Sequence, residues 1–186
     1  MILPIVAYGH PVLRKVAHDI DKDYPGLLKL IEDMWETLYA SSGVGLAAPQ
    51  VNKNIRLFVV DSEQIFRQIE EDKEKHSYPD SPGIKQVFIN AHIKELDGLE
   101  WNYNEGCLSI PGWIGEVPRH VSVTVKGQTP EGKEVRIKAH DYFARVLQHE
   151  IDHLDGILFT DRIVNIKTLQ RLDPETDKEE DKLLEV

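Results

Sequence analysis

Gln148-His149-Glu150-Ile151-Asp152-His153-Leu154-Asp155-Gly156 contains the pattern H-E-x-x-H, and the remainder of the chain is read outward from it. On a helix, two histidines four residues apart point from one face and reach a single metal ion. Glu150 follows the first histidine by one position, about 100° around the helix axis, so its carboxylate reaches a water on that ion without being a ligand. A catalytic ion of this kind takes three protein ligands and keeps one position open. The third ligand must therefore come from elsewhere. In the extended form H-E-x-x-H-x-x-G-x-x-H, Gly156 is in place but Phe159 stands where the last histidine belongs. Glutamates downstream begin only at Glu175, inside a charged stretch with little apolar content. What remains is upstream: Cys107, the only cysteine, in Asn104-Glu105-Gly106-Cys107-Leu108-Ser109-Ile110-Pro111. A sulfur and two imidazoles suit iron(II), zinc, cobalt or nickel and disfavour magnesium or calcium. The fourth position is left for water, whose pKa such an ion lowers toward neutrality.

Composition narrows the classes of function. The 186 residues suit one domain with a real core, and 41% hydrophobic with 29% charged residues is ordinary for a globular protein. With 22 basic and 32 acidic residues the net charge is -10, which argues against a nucleic-acid partner, since phosphate backbones are bound by basic surfaces. One cysteine allows no internal disulfide and fits a reducing compartment. The opening Met1-Ile2-Leu3-Pro4-Ile5-Val6-Ala7 lacks a basic region before its short apolar run, and no stretch approaches about 18 apolar residues. These features predict a cytoplasmic protein with no membrane partner, an organellar enzyme that has lost its address being the other case.

Along the chain, Leu27, Leu30, Ile31, Met34, Trp35 and Leu38 fall at helical spacing and predict an amphipathic helix from about Tyr24 to Ser42, with Gly43 as its stop. Gly43-Val44-Gly45-Leu46-Ala47-Ala48-Pro49-Gln50 is small and apolar, and its glycines permit close backbone approach. Ile55 to Val60 reads as a buried strand. Asp61 to Gly83 turns polar and is expected to be a surface excursion, its run of charges at 70–75 a solvated face. Strand character resumes over Lys85 to Asn90 and Ile93 to Leu96, and the alternation of Leu99, Trp101 and Tyr103 places Cys107 at a strand end. Val121, Val123 and Val125, then Val135, Ile137 and Ala139, flank a Pro130-Glu131-Gly132 turn and predict an antiparallel pair. Asp141 is expected to cap a helix from Tyr142 to about Leu154 with Phe143, Val146, Leu147, Ile151 and Leu154 on its apolar face, which makes the H-E-x-x-H helix a core helix. The acidic residues 173–186 read as a flexible tail, and with no repeat or linker one domain over 1–186 is the simplest division.

Taken together, Gly43 to Gln50, Glu105-Gly106-Cys107-Leu108-Ser109 and His149-Glu150-Ile151-Asp152-His153 resemble the three signature motifs of peptide deformylases, in that family's order. Tyr8-Gly9-His10-Pro11-Val12-Leu13-Arg14 is also similar to the family's usual start, so the resemblance runs roughly from Ile5 to Val164. It implies an α+β fold in which antiparallel or mixed β-strands surround a central metal-binding helix. It further implies metal-dependent hydrolysis of the formamide on the N-formylmethionine of new polypeptides, releasing formate, with Cys107, His149 and His153 as ligands. Iron(II) is the implied native ion, with Zn2+, Ni2+ or Co2+ as substitutes. By position, the Gln50 side-chain amide and the Leu108 backbone N–H stabilise the oxyanion, and Glu150 handles the proton. Val44, Tyr103 and Val146 fall near the methionine pocket, with Gly45 and Gly106 offering main-chain contacts. The implied partners are N-formylmethionyl nascent peptides, met near the ribosome without direct nucleic-acid binding. Gly112-Trp113-Ile114-Gly115-Glu116, taken as a loop, departs from the basic residue some members carry there. The competing readings are an H-E-x-x-H zinc protease, in which Cys107 is dispensable, and a non-catalytic metal-binding protein with a closed four-ligand ion.

Overall fold

A computed structural model describes residues 1–64 and 83–172. Helix α1 spans Leu27–Ala40. It is followed by strands β1 (Gly45–Ala47), β2 (Leu57–Asp61), β3 (Lys85–Glu105), β4 (Trp113–Gln128) and β5 (Glu134–His140). Helix α2 covers Asp141–Leu154, the short helix α3 covers Phe159–Arg162, and β6 is Gln170–Arg171. The five longer-range strands lie in the order β1-β2-β3-β4-β5, every neighbour antiparallel, and β6 pairs with β4 near its start. The architecture is α+β, with the antiparallel arrangement selected over a mixed one.

Alternation along β2 explains how one strand serves two layers. Successive side chains of a strand point to opposite faces. Leu57 and Val59 pack with Leu27, Ile31, Met34 and Leu38 of α1, whereas Phe58 and Val60 pack with Val146, Leu147 and Ile151 of α2. Phe58 and Phe88 stack at 4.8 Å between ring centroids, joining β2 to β3 inside the second layer. Val123 and Val125 of β4 and Ala139 of β5 complete the wall around α2. The helix is buried from Tyr142 to Leu154, polar residues included, so it is enclosed on every side and its apolar stripe is only part of what the protein covers.

Three local expectations are revised. The separate strands at Lys85 to Asn90 and Ile93 to Leu96 are one strand of 21 residues, interrupted by register shifts between Ile89 and His92, Ile93 and Glu95, and Asp97 and Glu100. Each shift is an extra residue that breaks period-two patterning, and Asn90 takes a left-handed φ of 53° at the first of them. The supposed loop Gly112 to Glu116 is mostly the start of β4, where Ile114 is buried and Gly115 lies against Ile163. Asp141, expected as a cap outside the helix, is its first residue, with a left-handed φ of 52°. Most of the surface excursion, 65–82, and the acidic tail, 173–186, lie outside the described residues. Among the described residues no helix is long and apolar enough to cross a membrane.

Candidate metal centre

The two histidines come from the last turns of α2, and Cys107 stands two residues beyond the end of β3, so a helix and a strand end supply the three donors. All three side chains are buried, and their ligand atoms lie within 4.8 Å of one another. Cys107 Sγ is 3.3 Å from His153 Nε2. His149 Nδ1 is 2.9 Å from Glu105 Oε2. A carboxylate can only accept, so Nδ1 carries the hydrogen and Nε2 presents its lone pair, the tautomer a metal ligand requires. Among the described residues His149 Nε2 has no hydrogen-bond partner, an orphaned buried acceptor that an ion bound between it, Cys107 and His153 would satisfy. The donor set and its burial fit one divalent ion of the softer transition series. Phe159, at the position of the missing histidine, stacks on the His149 ring at 6.5 Å and is a packing residue.

Glu105 is the hinge of the surrounding charge network. It accepts from Arg119 Nε at 2.9 Å, Arg119 Nη2 at 3.0 Å, Arg145 Nη1 at 2.8 Å and His149 Nδ1. Arg119 also donates to Asp152 Oδ2 at 2.5 Å, and Arg162 closes the chain on Asp152 through bonds of 2.8 and 2.6 Å. Complete burial alone raises the Glu105 pKa, but the Arg119 charge and the His149 and Arg119 hydrogen bonds overcome this and hold it well below the usual carboxylate range. Arg145 further donates to the Val117 and Trp101 carbonyls, each at 2.7 Å, and its guanidinium lies 4.5 Å from the Trp101 ring centroid.

Other ionisable groups of the site are shifted by the same burial. Desolvation, aided by the Glu105 charge and opposed by Arg119, pushes the Glu150 carboxyl well above its ordinary value. Both Glu150 oxygens are buried and lack hydrogen-bond partners among the described residues. A Cβ on Gly45 would collide with that carboxylate, so glycine at 45 is what lets β1 pass the acid. Burial lowers the His153 pKa well below its ordinary value, with the neighbouring His149 adding to the effect, which keeps the ring neutral. Burial pushes the Cys107 thiol up to about 12.

Gln50 lies on the short helical turn Ala48–Val51 and is fully buried, with Nε2 3.6 Å from Cys107 Sγ. Leu108 is half-buried and touches Gly43, where an added Cβ would come within 2.8 Å of Leu108 Cδ1. Val44 and Val146 belong to one large buried cluster, and Tyr103, partly buried, packs against that cluster. Gly106 is buried between Glu105 and Cys107. Sequence reasoning missed Arg119, Arg145, Asp152, Arg162 and the part played by Glu105. Arg145 was findable: an arginine four residues before His149 on a helix otherwise read as core implies a buried partner.

Structural ions close their coordination with four protein ligands, whereas three donors that leave a position open, here beside a buried carboxyl group, are the arrangement of a catalytic ion. The description of the polypeptide deformylase family matches residues 2–169. The chain is 48% identical to peptide deformylase of Flavobacterium johnsoniae over 168 residues, covering 90% of this chain and 84% of that one. The crystal structure of peptide deformylase from Thermus thermophilus superposes with a TM-score of 0.73 at 41% identity, covering 88% of this chain and 86% of that one. That of the Thermotoga maritima enzyme gives a TM-score of 0.74 at 38% identity, covering 89% and 99%. The chain belongs to the polypeptide deformylase family, and it is a metalloenzyme.

Proposed function

We propose that this enzyme removes the formyl group from the N-formylmethionine that begins newly made polypeptides, giving formate and a free amino terminus. The observation that carries the reading is the convergence of Cys107, His149 and His153 beside a Glu150 carboxyl group that has no hydrogen-bond partner among the described residues. Cys107, His149 and His153 would hold a single divalent ion, which would supply Lewis acidity toward water and the formyl oxygen. The donor chemistry suits iron(II), zinc, nickel or cobalt, and iron(II) is the choice the family resemblance favours.

Glu150, with its pKa raised by burial, is suited to take a proton from the attacking water and deliver it to the leaving amine. One proton thus moves from the nucleophile to the nitrogen as the carbon–nitrogen bond breaks. Gln50 Nε2 and the Leu108 N–H donate to the carbonyl oxygen as charge builds on it. Val44, Tyr103 and Val146 hold the methionine side chain by apolar contact, and Gly45 and Gly106 offer main-chain contacts to the peptide. One catalytic domain working on nascent chains in the cytoplasm, near ribosomes but without binding nucleic acid, accords with a net charge of -10. The test is formate release from a formyl-Met peptide by protein purified without oxygen, paired with elemental analysis. Cleavage of internal peptide bonds without formate would favour a protease instead.

A further inference from the structure

The loops that carry Gln50 and Leu108 are tied together by the segment before the first helical turn. Val6 N–H donates to the Gln50 carbonyl and Tyr8 N–H to the Ser109 carbonyl, each at 2.8 Å. With both main chains anchored, the freedom left to the Gln50 amide is rotation of its own side chain. Gln50 Oε1 accepts from the Ala47 N–H at 2.8 Å. Because Ala47 offers a donor there, only the amide oxygen can face it, and the NH2 must point the other way. On that side Nε2 meets Ser109 Oγ at 3.3 Å and Cys107 Sγ at 3.6 Å. Ser109 is fully buried, so its hydroxyl cannot turn to solvent. Oxygen accepts more strongly than sulfur, so the hydroxyl keeps one amide hydrogen and the other, loosely directed at Cys107, is available to an anion.

We propose that Ser109 is a positioning residue that aims the Gln50 amide at the oxygen on which charge develops. The proposal rests on the reading of Gln50 as an oxyanion donor. Ser109 touches no reacting atom and acts through Gln50 alone. Its test is a mutant cycle on metal-loaded enzyme with a formyl-Met peptide, comparing Ser109→Ala, Ser109→Thr, Gln50→Ala and the double variant Gln50→Ala/Ser109→Ala. Ser109→Ala is expected to lower kcat about tenfold at unchanged KM and metal content, because an interaction made only in the transition state is misdirected. Ser109→Thr, which keeps the hydroxyl, is expected to restore turnover. In the Gln50→Ala background, removal of the Ser109 hydroxyl should cost nothing further, since the two residues act as a unit. Native kcat in Ser109→Ala, or the same loss repeated in the Gln50→Ala background, overturns the proposal. Native kcat in Gln50→Ala overturns it together with the oxyanion reading beneath it, so the two failures are told apart.

Discussion

On the proposed mechanism Glu150 and Cys107 divide the work of the site between proton and ion, and substitution separates the two. Glu150→Ala removes a group that holds no ion, so metal content should persist while kcat falls on the order of 10²- to 10⁴-fold. Cys107→Ala removes a ligand, and elemental analysis of that variant should find the ion lost along with turnover. Full activity in the Glu150 variant would refute the proton-transfer role. The Cys107 thiol, pushed up to about 12 by burial, must give up its proton to bind as thiolate. Apparent metal affinity, measured by competition with a chelator, should therefore rise about tenfold per pH unit through the neutral range. At this scale the sequence was legible wherever the donor type spoke for itself, as with a single cysteine and a histidine pair. It was silent on Ser109 and Arg119, whose residue types are common at protein surfaces and whose roles come from what they touch.

Helix α2 is presented to the site by its ends. Beyond its last turn, Gly156 has φ +73°, and a Cβ there would sit 2.7 Å from the Arg14 carbonyl oxygen. Ala17 N–H bonds the Leu154 carbonyl at 2.8 Å, and Arg56 donates to the same carbonyl at 3.3 Å and to Asp155 Oδ1 at 2.7 Å. Gly156→Ala combines positive φ with a backbone clash and should destabilise the fold by roughly 1–3 kcal/mol in chemical denaturation. The surviving folded fraction should still bind metal, because no ligand is moved from its turn. Helices were legible as elements because a 3.6-residue period lies within one segment. Strand β3 was not legible as one element, because its bulges break the two-residue period that marks a strand.

Across the whole molecule, the run from Arg145 through Glu105, Arg119 and Asp152 to Arg162 joins β3, β4, α2 and α3 beneath the metal centre. Arg119→Met leaves Glu105 and Asp152 without their shared cation and should cost about 3–5 kcal/mol, measured by denaturant midpoint. A stability unchanged by that substitution would show the network to be idle. Because the folded Glu105 pKa is depressed, its contribution is fully present above the unfolded value of about 4.3 and is lost as pH falls below it. Stability should decline on acidification from about pH 5 downward, and Glu105→Gln should decline less steeply over the same range.

The histidine pair, and the helix that presents it, were determined by the amino-acid order alone, because four-residue spacing is geometry that a single helix imposes on itself, whereas the meeting of Cys107 with that pair across 46 residues needed the fold. The partners of Glu105 and the aim of Gln50 were decided only when β3 paired with β4 and the N-terminal segment crossed both loops. Charges and amides that lie 14 to 59 residues apart are joined by strand register and burial, and no local period in the chain records either.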